Sequence, residues 1–483
     1  MKNYIKVTYS FAMLLFFGCN SLLDESPKSL AEETFYNTAA EIEAGLFAIY
    51  APLRSGSCMG GLYPAQQEAM PDYGYGRGSY VPVSNYQGLD NTNISRVGQM
   101  WNLFYESVRN ANLVIINTPN AEMVSESEKA RFIAEARFMR GMIYFIMVRN
   151  WAGIPLRTEA NMTVSDIPRS SVDDVYELIV EDLQYADQNL PENPAQAGRP
   201  TSFAAKTVLA DVFLHQGLFS QAEDKALEVI ESNKYALLDT EDSDNFQRIY
   251  GADVVTTSEE IFYLKYSRED NQGFNLVMFP HHPGSGLHGA GGYFAHYTDN
   301  VTNPFIVNWD NNDLRKNYNI YSWNIGLGPN TMLFKKFVDP AAPGANSAGN
   351  DYPLYRYADL LLIHSEASAR SNGGPSTTAL ESLNQVHRRA YGFPHRSPSP
   401  IDFKLSDYNL NSFLELVIKE RGYETMFEGK RWMDLKRLGI AERVIQEVHG
   451  MKVDPKHYLW PIPIFETDFN NAIDAITDQN PGY

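Results

Sequence analysis

The stretch AAKTVLADVFLHQGLFSQAEDKALEVIESNKY, residues 204–235, constrains the fold of this chain more than any other. Leu209, Ala210 and Phe213 fall at the steps of three and four that place side chains on one helical face. Gly217 interrupts the run, and Phe219, Ala222 and Ala226 resume it on a second helix. The small side chains of Ala210 and Ala222 let the two helices approach closely. Such a pair cannot bury its apolar face alone, so it predicts further helices stacked against it.

A second pair is predicted from YADLLLIHSEASARS (357–371) into TTALESLNQVHRRAYG (377–392), joined by the turn NGGPS. Both pairs have the spacing of a tetratricopeptide unit. Upstream, Phe35, Ile42, Leu46 and Ile49 form a helical stripe, and WNLFYESVRNANLVIIN (101–117) continues the helical pattern. ARFIAEARFMRGMIYFIMVRNW (130–151) is apolar nearly all round in its second half, which predicts deep burial, and Gly153 and Pro155 end it. The expected class is therefore mostly α: a tetratricopeptide-like helical-repeat scaffold with long loop-rich inserts and a few short strands. The inserts are residues 55–98 and 236–350, where Gly, Asn, Asp, Pro, Tyr and Trp replace helical periodicity, and EIFYLKYS (260–267) reads as a strand. Irregular segments of that length are uncommon unless they carry function. Residues 30–235 and 236–483 are expected to pack as one globular unit.

At the N-terminus, Lys2 and Lys6 precede the apolar run FAMLLFFG and then Cys19, the pattern of an export signal over residues 1–18. The run is too short to span a membrane. Cleavage before Cys19 would leave that cysteine available for lipid, followed by a polar tether over residues 19–29. The second cysteine, Cys58, would then have no disulfide partner and reads as a small buried hydrophobe. A net charge of −19, with no basic run, argues against nucleic acid as a partner.

Three patterns invite catalytic or cofactor readings. In ERGYETMFEGKRWMDLKRLG (420–439), Glu420, Glu424 and Glu428 recur every fourth residue, a spacing that a glycosidase carboxylate pair can reach on a helix. The adjoining Arg421, Lys430, Arg431, Lys436 and Arg437 favour an ion-pair ladder instead. GSGLHG (284–289) fits a dinucleotide loop in letters, but prolines before it and glycines after it do not suit the strand–loop–helix context. His281, His282, His288 and His296 lack the spacing or cysteine partners of a metal site. No cofactor, metal or enzymatic activity is expected. The inserts offer a different chemistry, because aromatic rings beside Asn, Asp and Arg suit sugars, whose C–H faces stack while their hydroxyls hydrogen-bond.

Taken in order along the chain, several segments resemble the SusD/RagB lipoproteins of bacterial outer-membrane nutrient uptake. CNSLLDESPKS with EETFYNTAAEIEAGLFAIYAPLR is similar to that family's N-terminus, FIAEARFMRGMIYFIMVRNWAGIPL to its long buried helix, and GRPTSFAAKTVLADVFLHQG to its repeat pair. YPLYRYADLLLIHSEA, ERGYETMFEGKRWMDLKRLG, YLWPIPIFE and the terminal QNPGY resemble its C-terminal signatures. The resemblance implies a structural role for the glutamate helix. It also implies a lipid-anchored protein of the cell outer membrane, facing the exterior, that captures a glycan and passes it to a SusC-like TonB-dependent transporter. A peptide ligand, as in the RagB branch, is the nearest alternative, and a non-catalytic scaffold for a surface enzyme a further one. Because the family builds its ligand platform from the inserts, the expected contacts are Tyr73, Tyr75, Tyr80, Tyr86, Tyr293, Trp309 and Trp323, with Arg77, Asn85, Asp90 and Asn324 as polar groups nearby.

Overall fold

A computed structural model of the chain describes residues 35–483. The export signal, Cys19 and the 19–29 tether lie outside the described residues. The longer helices are α1 (Ala39–Arg54), α2 (Asn91–Asn117), α3 (Glu126–Trp151), α4 (Val172–Asn189), α5 (Ser202–His215), α6 (Phe219–Glu231), α7 (Tyr357–Ser371), α8 (Thr377–Ala390), α9 (Leu410–Glu424), α10 (Arg431–Arg437) and α11 (Ala441–His449). Their starts are written locally. Thr38 with Glu41, Ser125 with Glu128 and Ser171 with Asp174 form reciprocal capping boxes, each satisfying N–H groups that a helix start leaves open.

Each helix from α2 to α8 packs on its predecessor, and α7 also packs on α9. The α6–α7 contact bridges the intervening residues 232–356, so the stack continues as if that segment were absent from it. The mostly-α, tetratricopeptide-like class read from the sequence is the one observed, and both predicted helix pairs are present as α5–α6 and α7–α8. As the sequence indicated, α3 is buried on nearly all sides from Phe132 to Trp151. Its Arg140 donates to both carboxylate oxygens of Asp182 on α4, at 2.7 and 2.8 Å, and to Asn112 Oδ1 on α2 at 2.7 Å, fixing three helices with one planar fork. Gly141 lets α3 and α4 close, since a Cβ there would lie 3.2 Å from Leu183 Cγ and 3.3 Å from Asp182 Cβ. Gly141→Val is expected to lower the free energy of unfolding by about 1–3 kcal/mol, read as a lower urea midpoint at unchanged slope.

The strands are β1 (Tyr75–Gly76), β2 (Glu260–Leu264), β3 (His296–Asp299), β4 (Ile320–Ser322), β5 (Thr331–Phe334) and β6 (Tyr352–Arg356). β2 and β6 pair antiparallel, and β2 presses Phe262 edge-on against Phe138 of α3, 4.9 Å between ring centres. The other four form one sheet in the order β1-β3-β5-β4. Tyr75 sits opposite Tyr297 in that sheet, so the two loop-rich inserts, far apart in sequence, become one surface.

Beside this sheet, where Phe427 stacks on Phe334 of β5 at 4.9 Å, lie the three glutamates. Helix α9 ends at Glu424, and Glu428 follows in a turn where Phe427 (φ 61°) and Gly429 (φ 73°) are left-handed, so the three do not share one helical face. All three are buried. Glu424 accepts from Arg389 at 2.5 Å, Arg356 at 2.9 Å and Arg315 at 3.3 Å. Glu428 accepts from Lys336 at 2.7 Å and Arg356 at 2.8 Å, and Glu420 from Arg315 at 2.8 Å. Of the five neighbouring basic residues expected to form the ladder, only Lys430 reaches one of these glutamates among the described residues, 3.2 Å from Glu428. Arg421 pairs with Asp434, Arg431 with Asp72 and Arg437 with Glu366, while Lys436 donates to backbone carbonyls. The ladder therefore exists, but its cations come from the insert, β6 and α8 rather than from the same stretch. Burial alone would raise these carboxyls; the guanidinium groups outweigh it, holding Glu420 and Glu428 down at about 2 and Glu424 lower still. Lys336 remains a cation at neutral pH although burial brings it down to about 8.

Candidate functional site

Where the two inserts meet, the surface is built by a backbone ladder. Tyr293, Phe294 and Ala295 donate to the carbonyls of Met278, His281 and Phe279 at 2.9, 2.9 and 2.7 Å, and Arg77 N–H donates to Ala295 O at 2.7 Å. Gly292 has no room for a side chain, since a Cβ would stand 2.1 Å from His281 O. Phe294 is held at φ 39°, a conformation that a bulky residue adopts only under constraint. Its ring lies half-exposed beneath the Arg77 guanidinium, 4.0 Å from the charge centre, and 4.8 Å from the ring of His282. His282 in turn lies 5.1 Å from Trp323 at a 33° tilt. On the other flank Tyr75 stacks on Tyr297 at 5.3 Å, and Tyr297 feels the Arg77 charge, which opposes the upward push of burial on its phenol.

The result is a half-exposed row, Trp323–His282–Phe294–Arg77, beside the Tyr75–Tyr297 stack. Arg77 forms no ion pair among the described residues, which leaves its guanidinium free to donate to a ligand. Ring faces and an open guanidinium suit a flat ligand with polar edges and apolar faces. Tyr293, 55% exposed, stands at the edge of the same loop. The Trp323 end is fixed by its backbone N–H, which donates to Thr331 O at 3.1 Å, and by Asn324, whose Oδ1 accepts from the N–H groups of Gly326 and Gly328.

Of the eleven residues expected from the sequence, the structure brings Tyr75, Arg77, Tyr293 and Trp323 to this surface, with Asn324 bracing its loop. It corrects the expectation for four rings, which are buried and present no face to a ligand. Tyr73 donates to Glu68 at 2.5 Å and accepts from Phe427 N–H. Tyr86 donates to Met70 O, and Tyr80 packs between Arg96 and His296. Trp309, 2% exposed, stacks on Tyr423 at 4.3 Å and donates to Asp313. Asp90 caps α2 by accepting from Asn93 N–H, and Asn85 ends a short helical turn. Sequence reasoning passed over Phe294, and weighed His282 only as a metal ligand. The four histidines scatter: His281 and His296 are buried against Phe337 O and Ala65 O, and among the described residues no group of three or more His, Cys, Asp or Glu is placed to hold a metal ion. GSGLHG begins inside a 3-10 turn, Pro283–Ser285, and opens no α-helix.

Comparison with known proteins finds relatives of one kind. A model described as the SusD family matches residues 258–483, and one described as starch-binding associating with outer membrane matches residues 22–214. SusD-like protein P2 of Formosa agariphila is 27% identical with 100% of each chain covered, and a SusD-like protein of Bacteroides ovatus is 32% identical over 58% of this chain and 50% of its own. Among solved structures, a SusD homolog from Bacteroides thetaiotaomicron has a TM-score of 0.81 at 23% identity, covering 94% of this chain and 98% of its own. A laminarin-binding SusD-like protein has a TM-score of 0.75 at 23% identity, covering 93% and 100%. At such identity, these structural likenesses speak to the fold.

Proposed function

The chain belongs to the SusD/RagB family, and from that premise we propose that it is a non-catalytic, glycan-binding lipoprotein of the outer membrane. The supporting observation is the half-exposed row Trp323–His282–Phe294–Arg77, braced by the backbone ladder around Phe294. A rigid platform loses little ordering entropy on binding, so aromatic stacking and a few hydrogen bonds are enough for recognition. Hydrolysis finds no support in the glutamates, each buried and committed to guanidinium or ammonium partners. In this reading residues 1–18 are the export signal, lipid at Cys19 and the 19–29 tether hold the protein at the cell surface facing outward, and captured glycan passes to a SusC-like TonB-dependent transporter.

The test is calorimetric titration of the full chain against plant, fungal, algal and host polysaccharides and a tryptic peptide mixture. Saturable heat with at least one polysaccharide is the expected result. Heat with peptides alone would replace the glycan by a peptide, and silence throughout would sink ligand capture altogether.

A further inference from the structure

Beyond the corner formed by Tyr293 and Phe294 lies a second concavity, a cleft of about 580 Å³ between the end of α1 and residues 271–279. Apart from Arg54, the polar side chains of its walls are amides and hydroxyls rather than charges. Asn275 Nδ2 donates to Asn346 Oδ1 at 2.9 Å, and Asn346 Nδ2 donates to Asn271 Oδ1 at 3.2 Å. The hydrogen bonds among the described residues use neither Asn275 Oδ1, Asn271 Nδ2 nor the amide of Gln272, so the relay presents open acceptors and donors to the cleft. The relay is held in place. Asn271 is left-handed at φ 58°, and a Cβ on Gly56 would meet Asn275 Nδ2 at 2.3 Å. Arg54, at the cleft's end, has a buried Nε with no hydrogen-bond partner. Tyr293 forms the wall nearest the platform, its ring edge-on to Phe279 at 5.7 Å.

Groups that both donate and accept match hydroxyls, which do the same, and no carboxylate lines the cleft to select a cation. We infer that this cleft is a second carbohydrate contact: a long glycan lying on the platform turns over the Tyr293–Phe294 corner and lays further sugars against Gln272, Asn275 and Asn346. This rests on the glycan-binding reading and adds to it a preference for polymer over short oligomer. Binding energy added by the cleft is realised only by chains long enough to reach it.

The experiment measures affinity of the full chain for laminarin, starch, xylan and mannan, and for short oligosaccharides cut from each, in the wild type, Gln272→Ala, Asn346→Ala and Trp323→Ala. Gln272→Ala removes a side chain that bonds nothing within the protein, so it reports on the cleft even if Asn346→Ala disturbs the relay. The expected result is a roughly 10-fold loss for the bound polysaccharide in both cleft variants, with short-oligosaccharide affinity unchanged. Unchanged polysaccharide affinity in Gln272→Ala and Asn346→Ala would overturn the cleft while leaving the platform standing. If Trp323→Ala binds as wild type while the cleft variants weaken, the platform reading falls and the cleft remains as the contact. If the wild type binds none of the polysaccharides, both fall.

Discussion

Glu424→Gln is expected to lower the free energy of unfolding by roughly 3–5 kcal/mol, the range for removing one partner from a buried charge cluster. The amide has the shape of the carboxylate but not its charge, so Arg315, Arg356 and Arg389 keep three buried cations with one anion fewer. Were Glu424 a catalytic acid, the same change would leave the fold intact. Chemical denaturation decides between the two, and unaltered stability would contradict the hub. The pH profile supplies an independent reading. Glu420, Glu424 and Glu428 have folded-state pKa values depressed from the ordinary 4.5, two of them to about 2. Their contribution is full above about pH 4.5 and is lost as pH falls from there toward 2, because the unfolded state binds protons first. Wild-type stability should fall steeply across that window, and the Glu424→Gln variant less steeply.

Trp323→Ala should weaken binding of the cognate glycan about 30-fold or more, equivalent to about 2 kcal/mol for an aromatic anchor of a contact, with the thermal midpoint near that of the wild type. Trp323 is half-exposed and touches mainly His282 and Tyr321, so its removal opens no cavity in the core. Trp309→Ala is the instructive contrast. That ring is buried on Tyr423 and bonded to Asp313, itself a partner of Arg315, so its loss should cost about 3–5 kcal/mol of stability. Titration and denaturation of both variants separate the two roles. Full glycan affinity in Trp323→Ala would show that the row Trp323–His282–Phe294–Arg77 is not where sugar stacks.

What could be read from the sequence follows the range over which each signal acts. Helical periodicity and caps are local, so α3, α5, α6, α7 and α8 were visible, and so was the aromatic character of both inserts. The partners of Glu424 were not: Arg315, Arg356 and Arg389 arrive from three different elements, and no local pattern encodes that meeting. Nor does composition say which face a ring takes. Tyr73 and Tyr75 stand two apart, yet one is sealed against Glu68 while the other stacks on Tyr297 at the surface. Phe294 reaches the surface through a left-handed backbone that its sequence neighbours only hint at, in the paired glycines Gly291 and Gly292. His282 was visible in FPHHP, but adjacent histidines suggest metal before they suggest a stacking surface.

Because the helix stack closes across residues 232–356 through the α6–α7 contact, that segment behaves as a loop whose ends are pinned by the scaffold. The entropy of closing such a loop grows only logarithmically, about 0.6 kcal/mol for each doubling of length. Lengthening, shortening or rewriting its loops therefore disturbs the repeat helices little, provided that the cations feeding the glutamate hub and the β2–β6 pair packed on α3 are kept. The share of the surface that this segment builds can thus change while the helical frame is kept.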